Sequence, residues 1–544
     1  MEPKTGPSIF PAVDVEKTAS VNVFSASSSP HTFVATAPLA NPTIFQRWNT
    51  RIENLAGFEA RGIARVPPEE RQAPSLMGYI QMLLLWFSAN MSINNLAVGL
   101  CGPLVYSLGF TDSALCAVFG AFFGAFSTAY MATWGAESGN RTMVVARYFM
   151  GYYPAKITTL LNIILMLGYC TIDCIIGGQV LSAVSGGNMT IAVGVIVVAV
   201  IVCIIAVFGL AVFHVYERFA WLPQLIVLFV LVGCAGPSFD TSLQSVGSAS
   251  AIAANRLSFF SLCLYLPNSW AAAASDFYVY YPENTTKWKI FALTFAGLTL
   301  SFSFVNMLGV GLASGVAVNQ TWSDAYAVSS GALITAGYSP LHGFGKFCAV
   351  IVALGVIANN VPGKQANPFK RLSCSAFARV VLTQSYDRLL LGRTGLPNHG
   401  PLRQSRPRWI WAVVLVVIQL VCALAGRNQL FIIFTNFLAL MGYWLMIMVC
   451  IVLEEHLLFK RRLGGCDWAA WEDGSKLPVG VAALIAFLLG WVGAVLGMYQ
   501  TWFTGPLAAL AGDAGSDIGV WVGCGFSLIS FPPLRWLEVK KFGR

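Results

Sequence analysis

Charged residues are scarce in this chain. Only 10% of the 544 residues are Asp, Glu, Lys or Arg, whereas 56% are hydrophobic and the mean hydropathy is +0.68. Soluble globular domains carry about 25% charged residues, so the composition excludes an ordinary soluble protein. The net charge of +9 is no nucleic-acid signature, because the basic residues lie beside apolar runs. The expected partner is a lipid bilayer, and no nucleic acid.

Twelve apolar runs are candidates for crossing that bilayer, since a span needs roughly 20 apolar residues. They are called segments 1 to 12 here. They are Leu76–Leu100, Ala114–Trp134, Ile157–Val184, Ile191–Phe213, Phe219–Ala235, Leu257–Val279, Ile290–Ala313, Phe347–Val361, Trp409–Ala425, Leu430–Leu453, Val479–Tyr499 and Ile518–Phe531.

Positive charge is missing from every second gap between these segments. Of the 33 Lys and Arg residues, only Arg256, Lys346 and Arg427 lie in the odd-numbered gaps. Positively charged loops stay on the cytoplasmic side of a membrane. Strict alternation requires an even number of spans with both termini in the cytoplasm. The sequence therefore predicts an all-α integral membrane protein with twelve transmembrane helices, a topology typical of transporters.

Clusters of metal ligands or nucleophiles are also missing. The thirteen cysteines are scattered singly without a CxxC pair, and the five histidines form no cluster. Single cysteines inside apolar runs read as small packing residues rather than a disulfide framework or a zinc site. No cofactor or metal is expected. A membrane enzyme is disfavoured for the same reason.

The two ends of the chain differ from its middle in composition and in predicted structure. Residues 1–74 are polar and rich in Ser and Pro, which predicts a disordered cytoplasmic tail without a cleavable signal, so segment 1 is expected to direct insertion. Residues 75–537 form the predicted transporter domain, and 538–544 a cytoplasmic carboxyl terminus. Residues 136–156 predict a short interfacial helix. Segment 12 is short, and Pro532-Pro533 is expected to close it.

Polar or irregular stretches interrupt four of the segments. They are Ser88–Asn95 in segment 1, Asp173 with Gly177–Gln179 in segment 3, Leu266–Ser269 in segment 6 and Asn359–Pro362 in segment 8. Such backbone is tolerated at membrane depth only where it is buried in protein or lines a cavity. Breaks five segments apart predict an inverted five-plus-five repeat with a substrate site at the midplane. Plain helix–helix contacts are the alternative explanation.

Asp173 is the single residue that most strongly suggests a function, because it lies near the middle of segment 3. An acid at that depth is costly and faces a cavity or a partner by default. It suits proton binding or a hydrogen bond to a basic ring nitrogen, and the alternative is a protonated packing carboxyl. Tyr169 and Trp270 are candidates for stacking on a flat ring, although membrane aromatics also serve packing. On sequence alone, Glu217 is interpreted as a solvated residue at a cytoplasmic corner of the chain.

Six motifs recur together in one known family. They are Trp86-Phe-Ser-Ala-Asn-Met91, Glu137-Ser-Gly-Asn-Arg-Thr142 followed by Ala146–Pro154, Tyr216-Glu-Arg-Phe-Ala-Trp221, Asp276-Phe-Tyr-Val-Tyr-Tyr-Pro-Glu283, Ala358-Asn-Asn-Val-Pro362, and Ala425-Gly-Arg-Asn428 with Gly442-Tyr-Trp444. With these motifs the chain resembles the fungal purine-cytosine permeases of the nucleobase-cation-symport-1 family. The resemblance covers residues 55–540 apart from 363–408.

The resemblance implies a LeuT-like fold, in which two extra helices follow the five-plus-five repeat. It implies uptake of a nucleobase coupled to protons rather than Na⁺, at the plasma membrane. Its site is built from segments 1, 3, 6 and 8. The candidate substrate-binding residues are Ser88, Asn90, Tyr169, Asp173, Trp270, Asn359 and Asn360, and the candidate proton carriers are Asp173 and Glu217.

The chain departs from the family at three site positions. Tyr169 stands where purine-cytosine members often carry Trp, and Asp173 where they carry Asn. Asp only accepts hydrogen bonds when ionised, whereas Asn also donates, so base recognition can differ. Gly363 follows the segment 8 motif in place of another Asn. These departures keep a vitamin B6 permease and a non-transporting paralogue or sensor open beside a cytosine and purine importer.

Residues 363–408 are anomalous, because relatives have a short apolar segment there. The stretch begins Gly363-Lys364, which GGTAAG encodes with a splice-donor-like sequence. An unspliced intron or frameshift is one hypothesis, and a genuine cytoplasmic insertion is the other. Sequencing the transcript decides between them. The oligomeric state is not predicted.

Overall fold

A computed structural model describes residues 63–208, 221–360, 408–461, 465–513 and 515–544. In this part of the chain the regular structure is helical, apart from one ladder in which Tyr499–Gln500 pairs antiparallel with Phe503–Thr504. The predicted all-α class is confirmed. The described ranges contain six helices long and apolar enough to cross a membrane, or seven if the bent pair of segment 1 is one span.

Every predicted segment contains a helix, and the observed bounds differ by a few residues. In chain order the main helices are Leu76–Ser88 and Ile93–Val105 (segment 1), Phe110–Ser138, Pro154–Val184, Ile191–Phe208, Trp221–Ala235, Ala249–Ser269, Lys287–Ser314, His342–Asn360, Arg408–Gly426, Leu430–Lys460, Val481–Gly497 and Gly519–Phe542. Shorter helices are Pro68–Glu70, Thr142–Met150, Gly236–Ser238, Trp270–Ala272, Ala274–Tyr278, Gly315–Ala317, Gln320–Val328, Ser330–Ala336, Ser339–Leu341 and Pro506–Ala509.

Segment 1 breaks where its polar run lies. Two half-helices, Leu76–Ser88 and Ile93–Val105, meet at a bend of 49°. The Asn90 side-chain amide donates to the Trp86 carbonyl at 2.7 Å, and the Asn95 amide donates to the Asn90 carbonyl at 2.9 Å. Such side-chain bonds offer the backbone an alternative to the helical ladder. The break predicted in segment 1 is confirmed.

The break in segment 6 lies one turn later than predicted. The helix continues through Pro267 to Ser269, and two short 3₁₀ turns then carry the chain from Trp270 to Tyr278. At this end of the helix the neighbouring segment 2 supplies a bond: the Thr128 hydroxyl donates to the Pro267 carbonyl at 2.6 Å. Packing against segment 2 therefore decides where the helix ends.

Segment 3 shows no break, which corrects the prediction that its break pairs with one in segment 8. The break predicted at Asn359–Pro362 of segment 8 extends beyond the described residues. The segment 3 helix runs unbroken from Pro154 to Val184, and the segment 8 helix runs to Asn360. The segment 3 glycines serve close packing instead. A Cβ on Gly178 would lie 2.6 Å from the Val195 backbone nitrogen of segment 4. Small residues at helix contacts let two backbones approach in a membrane.

Segment 12 is not closed by its two prolines, contrary to the prediction. The helix continues from Gly519 to Phe542 through Pro532 and Pro533. Proline removes a backbone donor and weakens a helix locally, but tertiary contacts anchor the turns that follow. The Glu538 carboxylate accepts the backbone N–H groups of Gly480 and Ala482 at 2.7 and 2.8 Å.

The short helix predicted within 136–156 is present. Helix Thr142–Met150 is buried in the protein at all its positions except Arg147. Asp276 explains why: its carboxylate accepts the Thr142 backbone N–H at 2.7 Å and the Thr142 hydroxyl at 2.9 Å. This contact fixes the helix to the chain that follows the segment 6 break.

The described end of the predicted tail packs on the same region. The Val66 N–H donates to the Gly139 carbonyl at 2.9 Å, and the Gln72 N–H donates to the Tyr280 carbonyl at 3.1 Å. The Arg71 guanidinium is buried and donates to the Ala136 carbonyl at 2.8 Å. Residues 63–74 therefore join the end of segment 2 to the connection between segments 6 and 7.

The second half of segment 1 is held by close contact with segment 7. A Cβ on Gly99 would lie 2.2 Å from the Asn306 carbonyl oxygen, and one on Gly309 would lie 2.1 Å from the Leu96 carbonyl oxygen. Both neighbours are backbone atoms, which cannot rotate away. The two glycines therefore set the distance between these helices.

Replacing Gly99 by Ala is expected to lower the amount of folded protein strongly, because overpacking a tight contact costs about 1–3 kcal/mol or more. Gly233→Ala is the matched control, since a Cβ there meets nothing within 4 Å. The measurement is the monodisperse fraction of tagged protein after detergent extraction. Equal fractions for the two variants would contradict the close packing.

Candidate functional site

The candidate site lies where the breaks of segments 1 and 6 meet. The Trp270 indole N–H donates to the Asn90 side-chain oxygen at 2.8 Å. Asn90 is buried, and its amide group is already bonded to the Trp86 carbonyl. Both ends of the Asn90 side chain are therefore engaged within the protein. The contact joins two candidate residues that lie 180 positions apart in the sequence.

An aromatic cluster surrounds this contact. The Trp86 ring lies 5.7 Å from the Trp270 ring, edge to face, and 4.6 Å from the Phe277 ring. The Trp86 indole N–H donates to the Tyr278 hydroxyl at 3.0 Å, and the Tyr278 and Thr294 hydroxyls are 2.6 Å apart. Such aromatic pairs hold ring planes in fixed orientations. Trp270 is half-buried and so keeps part of its surface accessible.

Segment 3 contributes Tyr169 and Asp173, which are four residues apart and so lie on one face of the helix. The Tyr169 ring lies 6.4 Å from the Phe437 ring of segment 10. Asp173 is only 4% exposed, and its Oδ1 atom has no hydrogen-bond partner in the described structure. A buried acceptor without a partner carries a free-energy cost that a ligand donor would remove.

The second Asp173 contact comes from the polar run of segment 1. The Asn94 side chain lies close to the Asp173 carboxyl. Asn94 is the second residue of the half-helix Ile93–Val105. Within the described ranges, Asp173 forms no ion pair with a Lys, Arg or His side chain. The carboxyl of segment 3 therefore lies near the start of the second half of segment 1.

The remaining candidates fall outside this contact set. The Ser88 hydroxyl is part-buried and donates to the Leu85 carbonyl at 3.2 Å. Asn359 and Asn360 lie in the last turn of the segment 8 helix, and their side chains are not among the described parts. Segment 8 does approach segment 3: a Cβ on Gly177 would lie 3.8 Å from the Val356 side chain. Glu217 lies outside the described residues.

Two polar residues of the site were not singled out from the sequence. Asn94 belongs to the polar run of segment 1, but nothing in the run distinguishes it from Asn95. Asn268 precedes Trp270 in segment 6 and is fully buried. Its side-chain oxygen accepts the Ser127 hydroxyl at 2.7 Å, and its amide nitrogen has no partner in the described structure. Only the structure shows which amides at membrane depth are left unpaired, and that is the signal by which such residues are found.

These residues provide an aromatic cluster at two helix breaks and, on segment 3, one carboxyl oxygen without a partner in the described structure. The arrangement suits a small planar molecule that offers both a donor and an acceptor. Nothing in it is a nucleophile paired with a base, so it is suited to holding a ligand rather than changing it.

Trp270→Phe is expected to raise the KM of transport about tenfold, because it leaves the buried Asn90 oxygen without its donor while keeping an aromatic ring. The measurement is initial uptake against substrate concentration, normalised to protein at the cell surface. Trp288→Phe is the matched control, since Trp288 is 70% exposed. An unchanged KM in Trp270→Phe would show that the Trp270–Asn90 bond does not contribute to substrate binding.

Comparison with solved structures shows the class of protein. The inward-facing conformation of Mhp1 superposes with a TM-score of 0.61 at 13% identity, covering 89% of this chain and 96% of that one. At that identity the likeness shows the fold alone. The chain therefore has the fold of an integral membrane transporter, as the six apolar helices also indicate.

Sequence comparison shows the family. The profile described as "Permease for cytosine/purines, uracil, thiamine, allantoin" matches residues 65–523. The vitamin B6 transporter TPN1 of Saccharomyces cerevisiae is 30% identical over 562 aligned positions, covering 93% of each chain. The purine-cytosine permease fcyB of Emericella nidulans is 34% identical over 499, covering 91% of this chain and 92% of fcyB. The chain belongs to this permease family of nucleobase-cation-symport-1 transporters, and the resemblance to fungal members is confirmed.

Proposed function

We propose that this protein imports cytosine and purine nucleobases by proton-coupled alternating access. The observation that carries the proposal is the bond between Trp270 and Asn90 at the breaks of segments 1 and 6. The buried Asp173 of segment 3, whose Oδ1 atom has no partner in the described structure, supports it. A nucleobase is flat and offers ring N–H donors next to acceptors, which suits an aromatic surface and an unpartnered carboxyl oxygen. The family membership supports the same substrate class.

The proposed architecture has twelve spans, with a five-plus-five inverted repeat, two further helices and both termini in the cytoplasm. The alternation of positive charge supports the topology. The breaks of segments 1 and 6 support the repeat, because discontinuous helices five spans apart are its signature. In this mechanism substrate binds between the two breaks, and one group of helices rocks against the other. A plasma-membrane location follows from the function of an importer.

The proposed coupling ion is the proton, carried by Asp173, with Glu217 as the second candidate. Asp173 supports this role because it is buried, lies close to Asn94 of segment 1 and has one unpartnered oxygen. A carboxyl that can gain or lose a proton while it contacts the substrate links the two binding events. Na⁺ remains the weaker alternative.

Vitamin B6 is the second candidate substrate, and Asp173 is the observation that favours it. Pyridoxine carries a basic ring nitrogen, and a protonated pyridine N–H is a single donor for which a carboxylate is a better acceptor than an amide. The relative TPN1 is a vitamin B6 transporter and covers this chain as fully as the purine-cytosine permeases do.

The test is uptake of radiolabelled cytosine, adenine and pyridoxine into a host without its own nucleobase and vitamin B6 permeases, at external pH 4.5 and 7.5. We expect cytosine uptake that is faster at the lower pH, because a higher external proton concentration drives a proton symporter. A protonophore added at the lower pH should abolish the difference. Uptake independent of pH and protonophore would overturn proton coupling.

The same assay separates the candidates. Pyridoxine uptake without nucleobase uptake would select the vitamin. Residues 363–408 lie largely outside the described ranges, so the assay includes a chain in which a relative's segment replaces them. Uptake only by that chain would indicate a defective gene structure. No uptake of any probe by either chain, with both at the cell surface, would support the non-transporting alternative.

A further inference from the structure

We propose that the end of segment 12, together with the loop before segment 11 and the start of segment 3, forms a surface that binds the headgroup of an anionic phospholipid. The partner is a lipid of the bilayer and not the transported solute. The inference rests on the proposed topology, which places all three elements on the cytoplasmic side, and it is independent of which substrate is carried.

One face of the segment 12 helix stays exposed along its second half. The exposed side chains recur at helical spacing, three or four residues apart. They are Ile529, Pro533, Trp536, Leu537, Lys540 and Lys541. The opposite face, with Phe531, Arg535 and Glu538, is buried in the protein. The exposed stripe therefore faces the surroundings of the protein while the rest of the helix packs inside.

The chemistry of this stripe changes along the helix from apolar to basic. Ile529 is 79% exposed and Leu537 is 55% exposed, whereas Lys540 and Lys541 lie in the last turn. The Lys540 ammonium lies 5.2 Å from the centre of the Trp536 ring, one turn earlier. Tryptophan is enriched at the edge of the hydrocarbon, and lysine extends its ammonium beyond it. This order places both ammonium groups at the depth of the lipid phosphates.

Two neighbouring elements bring further groups to the same surface. The Arg544 guanidinium donates to the Gly474 carbonyl at 3.3 Å, and a Cβ on Gly474 would lie 3.7 Å from the Tyr152 Cγ atom. The Lys156 ammonium lies 5.1 Å from the ring centres of both Tyr152 and Tyr153. The start of segment 3 therefore adds a second basic and aromatic group beside the end of segment 12.

Positive charge prevails on this surface. Its basic residues are Arg147, Lys156, Lys476, Lys540, Lys541 and Arg544, and its exposed acids are Asp467, Glu472 and Asp473. Asp467 pairs with Lys476 at 3.4 Å, and Asp473 accepts the Ser475 hydroxyl at 2.6 Å. Basic residues clustered beside the cytoplasmic end of a span attract anionic headgroups. A zwitterionic headgroup has no net charge and lacks this attraction, so the surface selects an anionic lipid.

The test is thermal unfolding of delipidated, detergent-solubilised protein with added phosphatidylserine or added phosphatidylcholine. A ligand that binds only the folded state stabilises it, so we expect phosphatidylserine to raise the Tm by about 3 °C or more above phosphatidylcholine. Lys540→Gln with Lys541→Gln should remove most of this difference. Lys540→Arg with Lys541→Arg should keep it, because the charge is kept. Salt at about 1 M should also reduce it by screening.

Lys289→Gln with Lys346→Gln is the matched control, because it removes the same charge from two exposed lysines elsewhere. It should keep the difference between the two lipids. An equal response of the unmodified chain to both lipids, or an equal loss in the control and in Lys540→Gln with Lys541→Gln, would overturn the proposal. A dimer that forms in phosphatidylcholine and dissociates in Lys540→Gln with Lys541→Gln would identify a second copy of the chain as the occupant and would also overturn it.

This measurement needs no substrate, so its failure differs from a failure of the transport function. If the unmodified chain takes up none of the probes, the proposed transport fails while the lipid response still decides this proposal. If uptake is found but the two lipids stabilise the chain equally, the transport function stands and the lipid surface does not.

Discussion

Asp173→Ala is expected to reduce transport efficiency by about 100-fold or more, because a site that hydrogen-bonds a substrate N–H discriminates strongly against loss of that bond. The substitution removes the only unpartnered carboxyl oxygen found at the segment 1 and segment 3 contact in the described residues. The measurement is uptake normalised to protein at the cell surface.

Asp173→Asn refines the same prediction by keeping the shape of the side chain. An amide oxygen still accepts from a neutral nucleobase N–H, so nucleobase uptake should fall by about tenfold or less. A cationic pyridine ring loses a charge-assisted bond, so pyridoxine uptake should fall further. The ratio of the two losses identifies the substrate class independently of absolute rates.

Asp112→Asn is the control for removing an acid elsewhere. Asp112 pairs with Arg256 at 2.7 Å in a partly exposed position. Exposed ion pairs contribute about 0–1 kcal/mol, so uptake should change less than about twofold. Transport by Asp173→Ala at the rate of the unmodified chain would show that Asp173 is a packing residue, the alternative already recognised in the sequence.

Arg535→Leu is expected to remove most of the folded protein. The Arg535 guanidinium and the Glu455 carboxylate form two bonds, Nε to Oε2 at 2.8 Å and Nη2 to Oε1 at 2.9 Å. Their side chains are 2% and 0% exposed. Removing one partner of a buried pair costs about 3–5 kcal/mol, because the other charge stays buried without compensation.

The measurement is the melting temperature and the yield of detergent-solubilised protein. The double variant Glu455→Leu with Arg535→Leu removes both charges, and we expect it to recover a large part of the loss. Arg256→Leu, at the half-exposed pair with Asp112, should lower stability by less than about 1 kcal/mol. A double variant as unstable as Arg535→Leu alone would show that packing, rather than the unpaired charge, accounts for the loss.

The segment boundaries show how far the sequence predicts the fold. Apolar length placed a helix in every predicted segment, since hydrocarbon thickness acts on each segment separately. Prolines misled the prediction twice. Pro267 and Pro533 both lie inside helices. The turns beside them bond to distant parts of the chain, through the Thr128 hydroxyl at one and the Glu455 and Glu538 contacts at the other.

The candidate site was predicted in part. The polar run of segment 1, Trp270 and Asp173 were identified from depth and residue type, and the first of these confirmed its predicted break. That Asn90 binds Trp270, and that Asn94 lies close to Asp173, depends on how segments 1, 3 and 6 are rotated against one another. Neighbouring residues on a helix differ by about 100° in direction, and a sequence without its partners does not set that angle.

By itself, the sequence determined that this chain is an all-α membrane protein with its charges sorted to one side, and its motifs resembled one permease family. These properties depend on the free energy of transferring each residue between water and lipid, and that free energy is additive along the chain. The tertiary structure alone decided which helices break and which buried polar atoms remain unpaired. Those properties depend on contacts between residues far apart in sequence, where one bond at low dielectric outweighs local preference.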